Sequence, residues 1–76
     1  MMASMEQLSE TWTAATEHCR AGRLHEAENA CRQVLVADPS HAPAWDLLGA
    51  IACQSGRFAD AISSYQQALA INPHCA

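Results

Sequence analysis

The sequence contains one six-residue segment twice: Gly-Arg-Leu-His-Glu-Ala at residues 22–27 and Gly-Arg-Phe-Ala-Asp-Ala at residues 56–61. The two copies are 34 residues apart, and the same shift aligns eight identical pairs without a gap: Cys19 and Cys53, Gly22 and Gly56, Arg23 and Arg57, Ala27 and Ala61, Gln33 and Gln67, Leu35 and Leu69, Pro39 and Pro73, Ala42 and Ala76. A fixed period of this length indicates a repeat architecture in which each copy is one supersecondary unit.

Glycine and proline divide each copy into two helices. Gly22 and Gly56 are each predicted to end a helix, because glycine readily takes the left-handed conformation found there. Asp38 and Asn72 each precede a proline, which disfavours the α conformation. Between these points the apolar residues recur at steps of three and four, as in amphipathic helices. The sequence predicts helices at about 4–21, 24–37, 42–55 and 58–71, with Ser40 and Pro43 at the start of the third.

Short connections make consecutive helices antiparallel, so the fold class is all-α, with four helices in two tandem hairpins. A chain of 76 residues has room for one small domain. We therefore expect a single domain over residues 1–76, with a first repeat at 8–41 and a second at 42–75.

The second repeat resembles the tetratricopeptide repeat (TPR) family. The residues that carry the resemblance are Trp45, Leu48, Gly49, Ala61, Tyr65, Ala68 and Pro73, and the one clear departure is Ala52, where the family often has tyrosine. The first repeat is a weaker copy, with Thr11 in place of the tryptophan, Trp12 one position late, and Cys31 in place of the aromatic residue. The resemblance implies a segment of a right-handed α–α solenoid that acts as a protein-interaction scaffold.

The resemblance also implies a concave groove lined by the first helix of each repeat, which binds a protein or peptide segment. Carried over by position, the groove residues are Ser9, Trp12, Thr16, Cys19 and Arg20, and Pro43, Asp46, Ala50, Cys53 and Gln54. Trp12 has two interpretations, either an exposed interface anchor or a core tryptophan displaced by one position. The Lys, Asn and Arg clamp of chaperone-tail binders has no counterpart, because the chain lacks lysine and Arg20 alone would not form it.

The last helix is predicted to expose an apolar stripe that includes Ile62, Tyr65 and Leu69. Residues 73–76 resemble residues 39–42, where the second repeat begins, so we expect the chain to be the N-terminal piece of a longer array. An uncovered stripe of this kind indicates an interaction site. We expect the isolated chain to self-associate through this helix, as a homodimer with two-fold symmetry or by exchange of a hairpin.

Composition argues against several other classes of protein. The net charge is -4 and the four basic residues are scattered arginines, so no basic footprint for a nucleic acid is present. No apolar stretch approaches the ~20 residues that span a bilayer. The N-terminal ten residues lack the features of a secretory signal. We therefore expect a cytoplasmic protein whose four cysteines are reduced.

Three other functions compete with the scaffold. A metal site would use His18, Cys19, His25 and Cys31, or His74 and Cys75, but no Cys-x-x-Cys or His-x-x-x-His pair exists and the cysteines follow the repeat. An enzyme is not expected, because the acidic residues Glu10, Glu17, Glu26, Glu28 and Asp60 are scattered over water-accessible helix surfaces and no phosphate loop is present. No cofactor is predicted. The second repeat also resembles those that precede bacterial glycosyltransferase-type domains, which leaves open an N-terminal extension of an enzyme.

Overall fold

Four helices account for all the regular structure in residues 5–73, which are the residues that the computed structural model describes. They are α1 at Met5–Arg20, α2 at Leu24–Ala37, α3 at Ala42–Gln54 and α4 at Phe58–Ile71. The predicted helix boundaries are confirmed to within a residue, apart from the start of the first helix at residue 4, which lies outside the described residues. The packing pairs α1 with α2 and α3 with α4, so the two expected hairpins are present.

The same glycine turn connects the two helices of each hairpin. Gly22 and Gly56 have φ values of 82° and 80°, the left-handed region that a side chain disfavours. The next amide, of Arg23 or Arg57, donates to a carbonyl five residues earlier, at 2.8 Å in both turns. These contacts are those of a Schellman motif, which satisfies the last carbonyls of the helix. The prediction that both glycines end a helix is confirmed.

Two side chains accept hydrogen bonds from backbone amides in the connection between the hairpins. Asp38 Oδ1 accepts from the amide of Ser40 at 3.1 Å. His41 is the N-cap of α3, because its Nδ1 accepts from the amide of Ala44 at 3.1 Å. Ser40, which the sequence places at the entry to this helix, lies one residue before the cap, and the imidazole of His41 takes the role that a serine hydroxyl often has. Pro43 lies in the first turn, as predicted.

Replacement of His41 by alanine is expected to lower the free energy of unfolding by about 1 kcal/mol, because an N-terminal amide of α3 loses its acceptor. Asparagine at this position keeps a capping oxygen and is expected to restore most of the stability. Urea unfolding of the two variants beside the parent chain measures the difference. Equal losses in both variants would show instead that the contact of the His41 ring with Trp12 is what stabilises the turn.

Small residues form the centre of the core. Ala15, Ala27, Ala30, Cys31 and Ile51 are buried together, and partly buried side chains surround them: Trp12, Cys19, Leu24, Leu47 and Leu48. Alanine side chains let helix axes approach closely, so three helices contribute to one thin core. α3 is the central helix of the fold, because it packs against both α2 and α4 and touches α1 briefly. Between α2 and α4 no such packing is present among the described residues.

Candidate protein-binding surface

One stripe of α4 is apolar and open to solvent. Its members are Phe58, Ile62, Tyr65 and Leu69, with exposed fractions of 62 %, 58 %, 36 % and 52 %. At 100° per residue these four positions fall within a 60° sector of the helix, so they form a single ridge. The exposure predicted for Ile62, Tyr65 and Leu69 is confirmed. We call these four residues the α4 stripe.

The first repeat shows what covers the corresponding stripe. Shifted back by one repeat, the α4 stripe corresponds to Leu24, Glu28, Cys31 and Leu35 on α2. There Cys31 is fully buried and the other three are partly buried, because the second hairpin lies over them, with α3 packed on α2 and Arg57 on Glu28. The α4 stripe has the same place in its own hairpin but no helix over it among residues 5–73. The α4 stripe is therefore exposed, although the equivalent surface of α2 is covered.

Tyr65 joins the α4 stripe to α3. A Cβ atom added to Gly49 would lie 2.8 Å from Cε1 of the Tyr65 ring, so the ring rests directly on the backbone of α3. Partial burial raises the pKa of the Tyr65 phenol, and the nearby Asp46 and Cys53 groups raise it further. Asp46 and Cys53 are two of the predicted groove residues. Asp46 and Cys53 lie one turn before and one turn after Gly49 on α3, so these two residues border the Tyr65 ring.

The predicted groove residues differ in accessibility. Arg20, Asp46, Cys53 and Gln54 are exposed, as are Ser9 and Pro43, whereas Trp12, Thr16, Cys19 and Ala50 are partly buried. Thr16 donates its hydroxyl to the carbonyl of Thr13 at 2.8 Å, a local bond within α1. α1 and α3 touch only briefly, so few contacts join the predicted groove residues of the first repeat to those of the second. Binding by either group of residues stays a prediction.

Trp12 has features of both predicted roles, the core tryptophan and the exposed interface anchor. It packs against the core cluster and is partly buried. Its indole also meets the His41 imidazole edge-on, with ring centroids 4.9 Å apart. That geometry is favourable for aromatic pairs, so Trp12 holds the connection between the hairpins against α1. The remaining surface of the indole is the part available to a ligand in the groove.

An ion pair across the repeats was not foreseen from the sequence. Arg57 Nη2 donates to Glu28 Oε1 at 2.8 Å, and the Glu28 side chain is only 14 % exposed. The expectation that Glu28 lies on a water-accessible surface was therefore wrong, because Arg57 folds over it from the following hairpin. Arg32 approaches the same oxygen at 3.5 Å. Beside the pair, α2 and α4 enclose an open cleft of about 640 Å³, with Trp45, Leu48 and Ala52 of α3 among its lining residues.

The Glu28 pair predicts a pH dependence of stability. The hydrogen bond from Arg57 is the main cause that holds the pKa of Glu28 below its ordinary value of 4.5, so folding favours the ionised carboxylate. The resulting stabilisation is complete above the unfolded pKa and is lost as the pH falls through the lower folded pKa. The free energy of unfolding should therefore fall less on acidification in the Glu28→Gln variant than in the parent chain. The difference should be at most about 1 kcal/mol, since Arg57 stays partly solvated.

Urea unfolding at about pH 6.5 and about pH 3.5 measures this effect, with Glu10→Gln as the control. Glu10 is an exposed acid on α1, so Glu10→Gln controls for the loss of one negative charge at the surface. An identical profile for Glu28→Gln and the parent would mean that the pair contributes nothing to stability.

The described residues show three free thiols and no clustered metal ligands. Burial raises the pKa of Cys31 to about 11, so this thiol is an inert part of the core, whereas Cys19 is partly buried and Cys53 exposed. His18 Nδ1 accepts from Nε of Arg23 at 2.9 Å. Within residues 5–73 no group of three or more His, Cys, Asp and Glu side chains could hold a metal ion. His74 and Cys75 lie outside the described residues.

Among the described helices, none is long and apolar enough to cross a membrane. Comparison with curated proteins gave no significant match. A family model described as the tetratricopeptide repeat matches residues 13–74, which is most of the chain and extends from the middle of α1 to beyond the end of α4. The match agrees with the paired glycine turns, with Tyr65 packed on Gly49, and with the stacking of one hairpin on the next. The chain therefore belongs to the tetratricopeptide repeat family.

Proposed function

We propose that this chain is a protein-interaction module that binds a helical segment on the α4 stripe and the adjoining groove residues of α3. The observation that carries the proposal is the contrast between the two repeats, since α3 covers the stripe of α2 and no described residue covers the stripe of α4. In a longer chain the same surface would receive a following helix, and otherwise it is free for a partner. The role proposed is binding, not catalysis.

The chemistry of the surface favours a protein partner. The α4 stripe is a convex apolar ridge, whereas sites for small molecules are concave and enclose most of the ligand. Aromatic residues such as Phe58 and Tyr65 are enriched at protein interfaces. Asp46, Cys53 and Gln54 are exposed on α3 and would give the ridge a polar margin. An apolar centre with a polar rim is the usual composition of a protein interface.

The binding that the chain can show on its own is self-association through the α4 stripe. Static light scattering across a concentration series, up to several hundred micromolar, is expected to show a mass above that of the monomer. Ile62→Glu places a carboxylate in the middle of the stripe and should restore the monomer, because burial of an unpaired charge is unfavourable. Val36→Glu is the matched control, since Val36 is an aliphatic residue on α2 with 85 % of its surface exposed.

A parent chain that stays monomeric throughout the series would contradict self-association. Equal effects of the Ile62 and Val36 substitutions would also contradict the proposal, because the apolar contact would then not be specific to the α4 stripe. Circular dichroism of both variants shows whether they keep the helical fold of the parent.

A further inference from the structure

The first helices of the two repeats, α1 and α3, differ in the polarity of one equivalent face. In α3, Ala44 and Ile51 are buried and Leu47 is partly buried, on the face that lies toward α2 and the core. One repeat earlier, the same positions in α1 are Glu10, Thr13 and Glu17, and all three are exposed. The outward face of α1 is therefore polar where the equivalent face of α3 is apolar. We call Glu10, Thr13 and Glu17 the α1 polar face.

This difference decides how a second copy can bind. If copies stacked in the manner of consecutive repeats, the α1 polar face of one would cover the α4 stripe of another. Glu10 and Glu17 would then be buried against Ile62 and Tyr65 without a cationic partner, which is unfavourable. Arg23 of the added copy would occupy the place of Arg57, but it would face Ile62 instead of a carboxylate, because Ile62 stands where the first repeat has Glu28.

We propose that two copies associate through the same face, α4 against α4, and form a closed two-fold dimer that does not grow. The proposal rests on the proposed function and specifies its partner, a second copy of this chain, and its symmetry. A two-fold interface uses one self-complementary patch on both subunits, whereas head-to-tail contacts form rings or open filaments. The α4 stripe satisfies this condition, because each apolar ridge can cover the other when the two helices run antiparallel. Antiparallel packing also opposes the two helix dipoles favourably.

The exposed area sets the strength of this dimer. Four large side chains that are about half exposed offer on the order of 400 Å² per copy, at roughly 200 Å² for each side chain. The rim on α3 adds to this, but the total for two copies stays near or below the ~1,200 Å² at which stable interfaces begin. A weak and reversible dimer is therefore expected, with a dissociation constant of the order of micromolar or above.

Sedimentation equilibrium of the 76-residue chain tests the symmetry. The parent is expected to fit a monomer–dimer equilibrium with no larger species, and Ile62→Glu should raise the dissociation constant at least ~10-fold. The triple variant Glu10→Ala, Thr13→Leu, Glu17→Ile transfers the apolar residues of α3 to α1. This variant should continue to grow beyond the dimer as its concentration rises, because both ends of the molecule are then apolar.

Three results would overturn the two-fold dimer. Growth of the parent without limit would show head-to-tail stacking, in which case the α4 stripe still binds and the proposed function stands. A dimer that Ile62→Glu leaves intact would be formed by an exchanged hairpin or by another face. A parent that is monomeric throughout the series would contradict both the dimer and the self-association described above. If the triple variant stays at the dimer, the polarity of α1 is not what limits growth.

Discussion

Replacement of Ile51 by alanine is expected to lower the free energy of unfolding by about 2–5 kcal/mol. Ile51 is 1 % exposed and packs with Cys31 and three alanines in the core that joins the two hairpins. Those neighbours are small, so they have little side chain with which to fill the space that the isoleucine leaves. A domain of this length has a total stability of roughly 4–11 kcal/mol, so the variant should be near its unfolding threshold at physiological temperature.

Urea unfolding at low temperature measures the Ile51 effect, with Val36→Ala as the control. Val36 is an aliphatic residue with 85 % of its surface exposed, so its truncation should change stability by less than about 0.5 kcal/mol. Ile51→Val should lie between the parent and the alanine variant, at a loss of about 1 kcal/mol. A loss below about 1 kcal/mol for Ile51→Ala would show that the hairpins close around the vacated space.

Replacement of Gly49 by alanine is the second large effect, with a net loss of stability of up to about 2 kcal/mol. The added Cβ would lie 2.8–2.9 Å from three atoms of the Tyr65 ring, so the ring must leave its place on α3. Overpacking of this kind costs about 1–3 kcal/mol. Alanine is also the better helix former by about 1 kcal/mol, which offsets part of the loss.

The two contributions at Gly49 separate in a Tyr65→Ala background. Without the ring, only the helix preference is left, and Gly49→Ala should then stabilise the protein by up to about 1 kcal/mol. This reversal of sign is the measured quantity in a double-mutant cycle of urea unfolding. Gly56→Ala is the matched control, because its φ of 80° disfavours alanine and nothing lies within 4 Å of the added atom. Its loss should be the same in both backgrounds.

The helices, turns and repeat could be predicted because their signals are local. Gly22 and Gly56 each end a helix through their own backbone conformation, and Asp38 is held out of the helix by the proline that follows it. The spacing of Ala27, Ala30, Cys31 and Val34 identifies the buried face of α2 for the same reason. The contact of Tyr65 with Gly49 could also be predicted, since the family pattern pairs a glycine with an aromatic residue.

The contacts between hairpins could not be predicted in this way. Glu28 was expected to be solvated, and its pairing with Arg57 depends on how far the second hairpin is turned relative to the first. His41 was not recognised as a cap, because the imidazole accepts from Ala44 only in the tight turn that follows Pro39. The proximity of Asp46 and Cys53 to the α4 stripe likewise depends on the position of the Tyr65 ring on Gly49.

The sequence by itself determined the four helices, the paired hairpins and the apolar character of α4, because residue spacing and backbone preference act over a few neighbouring residues. Only the tertiary structure decided which of those apolar faces are covered. Burial depends on the helix that packs on top, and α3 covers α2 while nothing among the described residues covers the α4 stripe. The same packing buries Ala44 and Ile51 of α3, whereas the equivalent Glu10 and Glu17 of α1 stay exposed. The exposed face of α1 is therefore polar and that of α4 is apolar.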